Sequence, residues 1–264
     1  MLPRSLFSLP IVIALLALTP IGASAQIFVD QESPSGGDGT SWATAYNTLQ
    51  TGLDAATSGD QVWVANGTYY PDTGPGTTAN SRTASFSLPD GVTVIGGFTG
   101  YAEGAEQDLT ERPSRFADAV TTLSGEIQQD GDATNNAYHV VTSRGNPRST
   151  ALRRVRVADG AANGAGEQAL GGGILLDGSD AKIINTYVQQ NRAKRGAAIA
   201  VTEGAPVLQG LLANANENSD TGTIYLDSDQ TTLNHLTVAD NTTTSADGAN
   251  GLYQVGSNAS VYNT

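Results

Sequence analysis

The chain has 264 residues and a formal net charge of −13, which argues against nucleic acid as a partner because a phosphate backbone would be repelled. It contains no cysteine, and this excludes a disulfide framework and thiol chemistry. Thirty-one glycines and only 15% charged residues are typical of a turn-rich all-β protein.

Residues 1–25 predict an export signal. Arg4 supplies a basic start, residues 11–18 an apolar stretch, and residues 23–25 a small-residue cleavage site. An uncleaved membrane anchor is the alternative, but Pro10 and Pro20 bound a stretch that is short for a span. No later segment predicts a transmembrane helix, so we expect a protein that is secreted or held at the surface of a bacterial cell.

Residues 26–60 predict an amino-terminal cap made of one strand, at 27–29, and one amphipathic helix. Asn47 is predicted to cap the helix and Gly59 to end it. The apolar face of the helix consists of Leu49, Leu53 and Ala56. A stack of coils exposes its first apolar layer and an unpaired strand edge, so we expect the helix to cover that end.

Residues 61–170 predict irregular coils with long loops. The apolar runs that predict strands lie at 62–64, 86–88, 92–95, 120–123, 139–142 and 152–157, and the loops at 71–83, 99–119 and 127–137. Loops that project from a rigid scaffold often carry binding sites, so we expect any function here.

Residues 171–264 contain a repeat. Asn191, Asn216 and Asn241 are each separated by 25 residues. The apolar columns Ile174, Ile199, Ile224; Ile183, Leu208, Leu233; and Val188, Ala213, Val238 keep the same step. Each unit therefore holds three short apolar runs, which predict three strands joined by tight turns.

A repeat of this size without a helix predicts a right-handed parallel β-helix, with three strands and about 25 residues per coil. Equivalent strands would lie about 4.8 Å apart, and the three asparagines would form a hydrogen-bonded ladder. The sequence stops within a further unit, so we expect the coils of 171–264 to be truncated at the carboxyl end.

Several segments resemble secreted bacterial right-handed parallel β-helix repeat proteins of the pectate-lyase-like superfold. They are Thr40-Ser41-Trp42-Ala43, Gly59-Asp60, Val62-Trp63-Val64-Ala65, Gly67-Thr68-Tyr69-Tyr70-Pro71, Gly96-Gly97-Phe98, Leu123-Ser124-Gly125 and Tyr138-His139-Val140-Val141. The later repeats are also similar to those of polymorphic outer-membrane proteins, with Gly172-Gly173-Ile174 and Gly196-Ala197-Ala198-Ile199 as the first motif. The aromatic residue of the second motif is replaced by Val188, Ala213 and Val238.

Three groups of residues are candidates for chemistry. Asp177 and Asp227 fall in one column with Glu203 nearby, and these carboxylates would share a ligand or serve as solvated turn residues. Arg192, Lys194 and Arg195 would meet an acidic sugar or act as surface charge. The oxygen donors of Asp130, Asp132 and Asn135 alternate as in calcium loops, although an EF-hand glutamate is missing.

These patterns leave three functions open. The first is a monomeric, non-catalytic surface scaffold that binds a polysaccharide or cell-surface glycan, as an adhesin does. The second, which the resemblance implies, is a polysaccharide lyase or hydrolase, and the third is a structural stalk. No motif demands catalysis, so we favour the binding scaffold, without a required cofactor but with Ca²⁺ as a candidate ligand.

Overall fold

The computed structural model describes residues 24–34, 37–102, 106, 108–113, 117, 120–228, 230–246, 248–256 and 259–262. The predicted export signal lies outside this part except for residues 24 and 25. The described chain is mostly β, with parallel sheets and few, short helices. Within it, no helix is long and apolar enough to cross a membrane.

The largest sheet has twelve strands, all paired in parallel. They are β1 (Gln26–Val29), β2 (Gln61–Ala65), β3 (Gly67–Tyr69), β5 (Thr93–Phe98), β6 (Thr121–Ser124), β8 (Ala151–Arg153), β9 (Arg156–Ala158), β12 (Lys182–Ile184), β13 (Tyr187–Gln189), β16 (Val207–Asn214), β19 (Thr232–Ala239) and β22 (Ser260–Tyr262).

Two smaller parallel sheets complete the fold. The six-stranded sheet contains β4 (Phe86–Ser87), β7 (Val141–Arg144), β11 (Ile174–Asp177), β15 (Ile199–Val201), β18 (Ile224–Leu226) and β21 (Leu252–Gln254). The four-stranded sheet contains β10 (Ala161–Ala162), β14 (Arg192–Arg195), β17 (Glu217–Thr221) and β20 (Thr242–Thr243). The helices with described bounds include α1 (Leu49–Ala55) and the short 3₁₀ segments Trp42–Thr44 and Gly166–Ala169.

Equivalent residues of successive repeats pair with one another. Ile174 pairs with Ile199, and Ile199 pairs with Ile224, so the strands are in register every 25 residues. All three side chains are fully buried. Burial of one such branched apolar side chain stabilises the folded state by roughly 1.5–3 kcal/mol. Each column therefore adds a contribution of this size for every repeat.

The repeat that begins at Gly171 contains four strands, β11 to β14, rather than the three that the sequence predicts. In the next two repeats β16 and β19 each span two of the predicted runs, so three strands form there. In the repeat from Gly171, the strand that lies outside the predicted runs is β14, Arg192–Arg195. Three of its four side chains are charged and exposed, and only Ala193 faces the interior, so the segment lacks the apolar run by which strands are recognised.

A left-handed residue bends the chain between the two halves of the large sheet. Asn185, Gly210 and His235 occupy this corner in successive repeats with φ of 50°, 64° and 53°. Arg154, with φ of 58°, occupies it one repeat earlier and divides the predicted strand 152–157 into β8 and β9. Asparagine and glycine tolerate this conformation best, which accounts for two of the four residues.

The three spaced asparagines are hydrogen-bonded to one another. Asn191 Nδ2 donates to Asn216 Oδ1 at 3.1 Å, and Asn216 Nδ2 donates to Asn241 Oδ1 at 3.0 Å. The backbone N–H groups of Asn191 and Asn216 donate to the same two oxygens. Asn191 Oδ1 accepts from the N–H of Gly160 at 2.9 Å, so the row continues one repeat further towards the amino end.

The predicted helix forms, but it begins one residue later than expected and ends at Ala55, four residues before the predicted end at Gly59. Its N-cap is Thr48, whose hydroxyl accepts from the N–H of Thr51. Asn47 instead donates through Nδ2 to the carbonyls of Asp30 and Ser33, which ties the helix entry to the loop after β1. A Cβ added at Gly52 would lie 2.4 Å from Val29 Cγ2, so the helix packs directly on the first strand.

We predict that Asn216→Ala lowers the free energy of unfolding by roughly 3–5 kcal/mol, because it leaves the buried N–H of Asn191 and the carbonyl of Val188 without partners. Gln209→Ala, at an exposed position of the same repeat, should change it by less than about 0.5 kcal/mol. Urea denaturation of both variants measures the difference. Equal losses would show that the asparagine row does not stabilise the fold.

Candidate functional site

Extra residues in one repeat build an overhang on the six-stranded sheet. Ala161 pairs with Arg192 and Ile174 with Ile199, so thirteen positions from Ala161 to Ile174 correspond to seven in the next repeat. The inserted chain, residues 163–169, lies between Ala162, which pairs with Ala193, and Leu170, which forms a bridge with Arg195. Leu170, at its end, packs against a buried apolar cluster of Leu175, Ala200 and Tyr225.

A cavity of about 290 Å³ lies beside this overhang, above strands β4 and β7. Four residues with hydroxyl groups, Thr83, Ser85, Ser87 and Thr142, line it. The remaining lining comes from Tyr138, His139, Arg144, Glu167 and Gln168. The cavity is therefore predominantly polar, and its lining residues come from three segments of the chain, 83–87, 138–144 and 167–168.

His139 lines this cavity and has one buried ring nitrogen without a hydrogen-bond partner in the described chain. Its Nδ1 lies 3.1 Å from the carbonyl oxygen of Gly171, which can only accept, so Nδ1 carries the proton of the neutral ring. Nε2 then has a free lone pair, and among the described residues this buried atom has no hydrogen-bond partner. Glu167 Oε1 is 4.0 Å away, too far for a hydrogen bond.

Burial keeps the imidazole neutral. Desolvation lowers the pKa of His139 below its ordinary value of 6.5, and this effect exceeds the opposing hydrogen bond to Gly171 and the charge of Glu167. The residue is 7% exposed. At neutral pH the cavity therefore contains an unprotonated imidazole that can accept a hydrogen bond or a proton.

Arg144 joins the overhang to the sheet. Its guanidinium donates two hydrogen bonds to the carboxylate of Glu167 and a third to Asp177 Oδ2 at 3.1 Å. The bonds from Arg144 hold the pKa of Glu167 below its usual range, and those from Glu167 raise the pKa of Arg144. Asp177 also accepts from the Thr202 hydroxyl at 2.7 Å, so the positive charge is shared between two fixed carboxylates.

Tyr138 is held in place by a cation on one side. The guanidinium of Arg82 lies 4.1 Å from the centre of its ring, an arrangement that fixes the ring through cation–π attraction. Arg82 donates to the carbonyls of Asn136 and Ala161 and to Asn163 Oδ1, at 2.7, 2.9 and 2.7 Å. The ring that borders the cavity is therefore rigid and half-buried.

The predicted carboxylate column is divided between two places. Asp177 is bonded to Arg144 and Thr202 at the edge of the cavity. Glu203 and Asp227 instead line a separate groove of about 350 Å³ at the next corner. No interaction brings Asp177 and Asp227 onto one ligand in the described chain, because Thr202 lies between them in the column.

The predicted basic patch is compensated by acidic neighbours in the following repeat. Arg192 Nε lies 3.4 Å from Glu217 Oε2, and Arg195 Nε lies 2.8 Å from Asp220 Oδ2. Arg192 lines an open groove of about 420 Å³ on the four-stranded sheet. Lys194 is exposed on the same strand.

The predicted calcium loop is closed by its own hydrogen bonds. Asp130 accepts from the N–H of Asp132 and from Asn135 Nδ2, and Asp132 accepts from the N–H and hydroxyl of Thr134. In the described part of the chain, no group of three or more His, Cys, Asp or Glu residues is arranged to hold a metal ion. Calcium binding by this loop remains a prediction.

The aromatic residues near the amino end are packed together. Trp42, Trp63, Phe28 and Phe98 form one buried cluster on the outer face of the large sheet, and the stacked rings of Trp63 and Phe98 are 4.6 Å apart. Trp42 Nε1 donates to the carbonyl of Glu106. These tryptophans stabilise the fold and are too buried to stack on a sugar.

The sequence does not predict the cavity, although Tyr138 and His139 belong to a segment that carries the family resemblance. The strand predicted at 139–142 actually begins at Val141, which leaves His139 in the approach to the sheet. Glu167 meets His139 and Arg144 only because the overhang folds back. The irregular spacing before Gly171 was the signal that could have located it.

Comparison with known proteins identifies the architecture and little else. No family model and no curated protein matches the chain. Among solved structures, a rhamnogalacturonan lyase matches with a TM-score of 0.50 at 12% sequence identity, over 90% of this chain and 62% of that one. The chain thus spans less than two thirds of the length of the matching structure, and at this identity the likeness shows the fold alone.

We predict that acidification destabilises the protein through His139. Its pKa is lower in the folded than in the unfolded state, so the unfolded state binds more protons as the pH falls. The resulting stability is complete above about pH 6.5 and is lost as the pH falls from there through the folded-state pKa. Glu167, whose pKa is lowered from 4.5, also contributes stability, and this contribution is lost only at more acidic pH.

His139→Gln should remove this contribution and flatten the unfolding free energy between about pH 7 and about pH 5. Gln209→Ala, at an exposed position without an ionisable group, serves as the control and should leave the profile unchanged. Urea denaturation at several pH values provides the measurement. Parallel profiles for the wild type and His139→Gln would contradict the assignment.

Proposed function

We propose that this protein is an exported carbohydrate-binding scaffold, a single right-handed parallel β-helix whose ligand enters the His139 cavity. The chain visits the six-stranded, large and four-stranded sheets in the same order in each regular repeat, which supports one continuous winding. Crossovers between parallel strands are right-handed in about 98% of proteins, which supports the handedness. The predicted export signal supports a secreted or surface location.

One observation carries the binding proposal. The cavity combines a rigid aromatic ring, a set of hydroxyl groups and a buried imidazole nitrogen that lacks a donor. A sugar matches all three, because its C–H face stacks on an aromatic ring and its hydroxyls exchange hydrogen bonds with polar side chains. A buried acceptor without a donor is costly, and a ligand hydroxyl would remove that cost.

The rest of the molecule then supports the binding cavity. We propose that the protein acts as a monomer whose repeats present the cavity to a polysaccharide or a cell-surface glycan. A purely structural stalk is less well supported, because a stalk has no use for a polar cavity with an unpartnered buried group.

A polysaccharide lyase or hydrolase is the second candidate. The neutral His139 could serve as a general base, and the matching solved structure is a rhamnogalacturonan lyase. Elimination next to a uronate also needs a positive group for the carboxylate, and Arg144 is already bound by two carboxylates. This commitment of the cation favours binding over cleavage.

Tyr138→Ala should weaken retention on the preferred polysaccharide about five- to thirtyfold, since loss of the stacking ring removes about 1–2 kcal/mol. Affinity electrophoresis through a panel of polysaccharides gives the measurement. Tyr262→Ala, which alters an exposed tyrosine on the large sheet, is the control. Equal retention of both variants would rule out the cavity as the binding site.

The same panel separates binding from cleavage. A binding scaffold should retain a polysaccharide without releasing new reducing ends or unsaturated sugars. Product formation that His139→Gln abolishes would establish the enzyme instead.

A further inference from the structure

The charges around the His139 cavity restrict the kind of sugar it can accept. Arg144 and Glu167 are the charged residues of its lining, apart from the neutral imidazole, and they are bonded to each other. Arg144 also binds Asp177. The guanidinium therefore has carboxylate partners on two sides and is not free to meet a third.

A ligand that carries a carboxylate should bind weakly in this cavity. It would lie beside Glu167, and among the lining residues it could gain a cation only by displacing Glu167 or Asp177 from Arg144. Like charges at short range oppose binding, and a displaced carboxylate would lose its hydrogen bonds. A sugar acid is thus a poor match for the lining.

The unpartnered group in the cavity requires a hydrogen-bond donor. His139 Nε2 is an acceptor because Nδ1 carries the proton that bonds to Gly171. A hydroxyl supplies such a donor without bringing charge, and its oxygen can in turn accept from Ser85, Ser87 or Thr142, which line the same space. A carboxylate supplies no donor at neutral pH.

We infer that the cavity selects a neutral, hydroxyl-rich sugar unit, with one hydroxyl donating to His139 Nε2, and rejects its uronic acid counterpart. This inference rests on the proposed function and specifies its substrate class. It predicts that the preferred unit of the ligand is uncharged even where the whole polysaccharide is acidic.

A matched pair of ligands tests the inference on the wild-type protein. One is an oligomer of galacturonate, and the other is the same oligomer with its carboxylates reduced to hydroxymethyl groups. Isothermal titration calorimetry with each, and with a panel of other neutral oligosaccharides, should detect binding of neutral oligomers and at least about tenfold weaker binding of the acidic one. A cationic glucosamine oligomer completes the set.

His139→Phe keeps a planar ring but removes the hydrogen-bond acceptor. The affinity for the neutral oligosaccharide should therefore fall by about ten- to a hundredfold. His235→Asn should leave the affinity unchanged. In the wild type, the ¹⁵N resonance of Nε2 should shift when the neutral ligand binds, which a purely structural role for His139 would not cause.

The outcomes separate the two proposals. Tighter binding of the acidic or the cationic oligomer would overturn the neutral-sugar inference while leaving carbohydrate binding intact. Binding of no oligosaccharide would overturn both. An Nε2 shift caused by Zn²⁺ but not by any sugar would identify a metal ligand and would likewise overturn the inference.

Discussion

The structure depends on a hydrogen-bonded register that returns each side chain to the position of its counterpart in the preceding repeat. Where the step is 25 residues, isoleucine pairs with isoleucine and asparagine with asparagine. The apolar columns then fill the interior, while the amide row satisfies backbone groups at a tight corner. A shift of one residue would turn every inward side chain outward, so packing and hydrogen bonding specify the same alignment.

The candidate site arises where this regularity is interrupted. The segment with six additional positions, thirteen against seven, leaves the strand columns in place, and its end packs on the outside of the sheet. It is fastened by Leu170 on the apolar cluster and by Glu167 on Arg144. The rigid sheet supplies the floor, and the irregular segment supplies the wall, which is the usual division between scaffold and binding loop.

Much of the fold could be predicted from the sequence, because the 25-residue period and the spacing of the apolar residues determine where the strands lie. The strands of the regular repeats, the helix over the first strand and the spacing of Asn191, Asn216 and Asn241 all follow from local patterns. The strand Arg192–Arg195 did not, since only Ala193 of its residues is buried. The meeting of His139, Arg144 and Glu167 could not be predicted either, because it depends on the path of the overhang rather than on any motif.

Connections of different length at the corners leave the pairing of the strands unchanged. Ile224 pairs with Leu252, twenty-eight residues on, as faithfully as Ile199 pairs with Ile224. Insertions at a corner are therefore absorbed locally and do not propagate along the stack. A segment grafted at an equivalent corner of another repeat would rest on the same paired strands, so surface loops could be added one repeat at a time without rebuilding the interior.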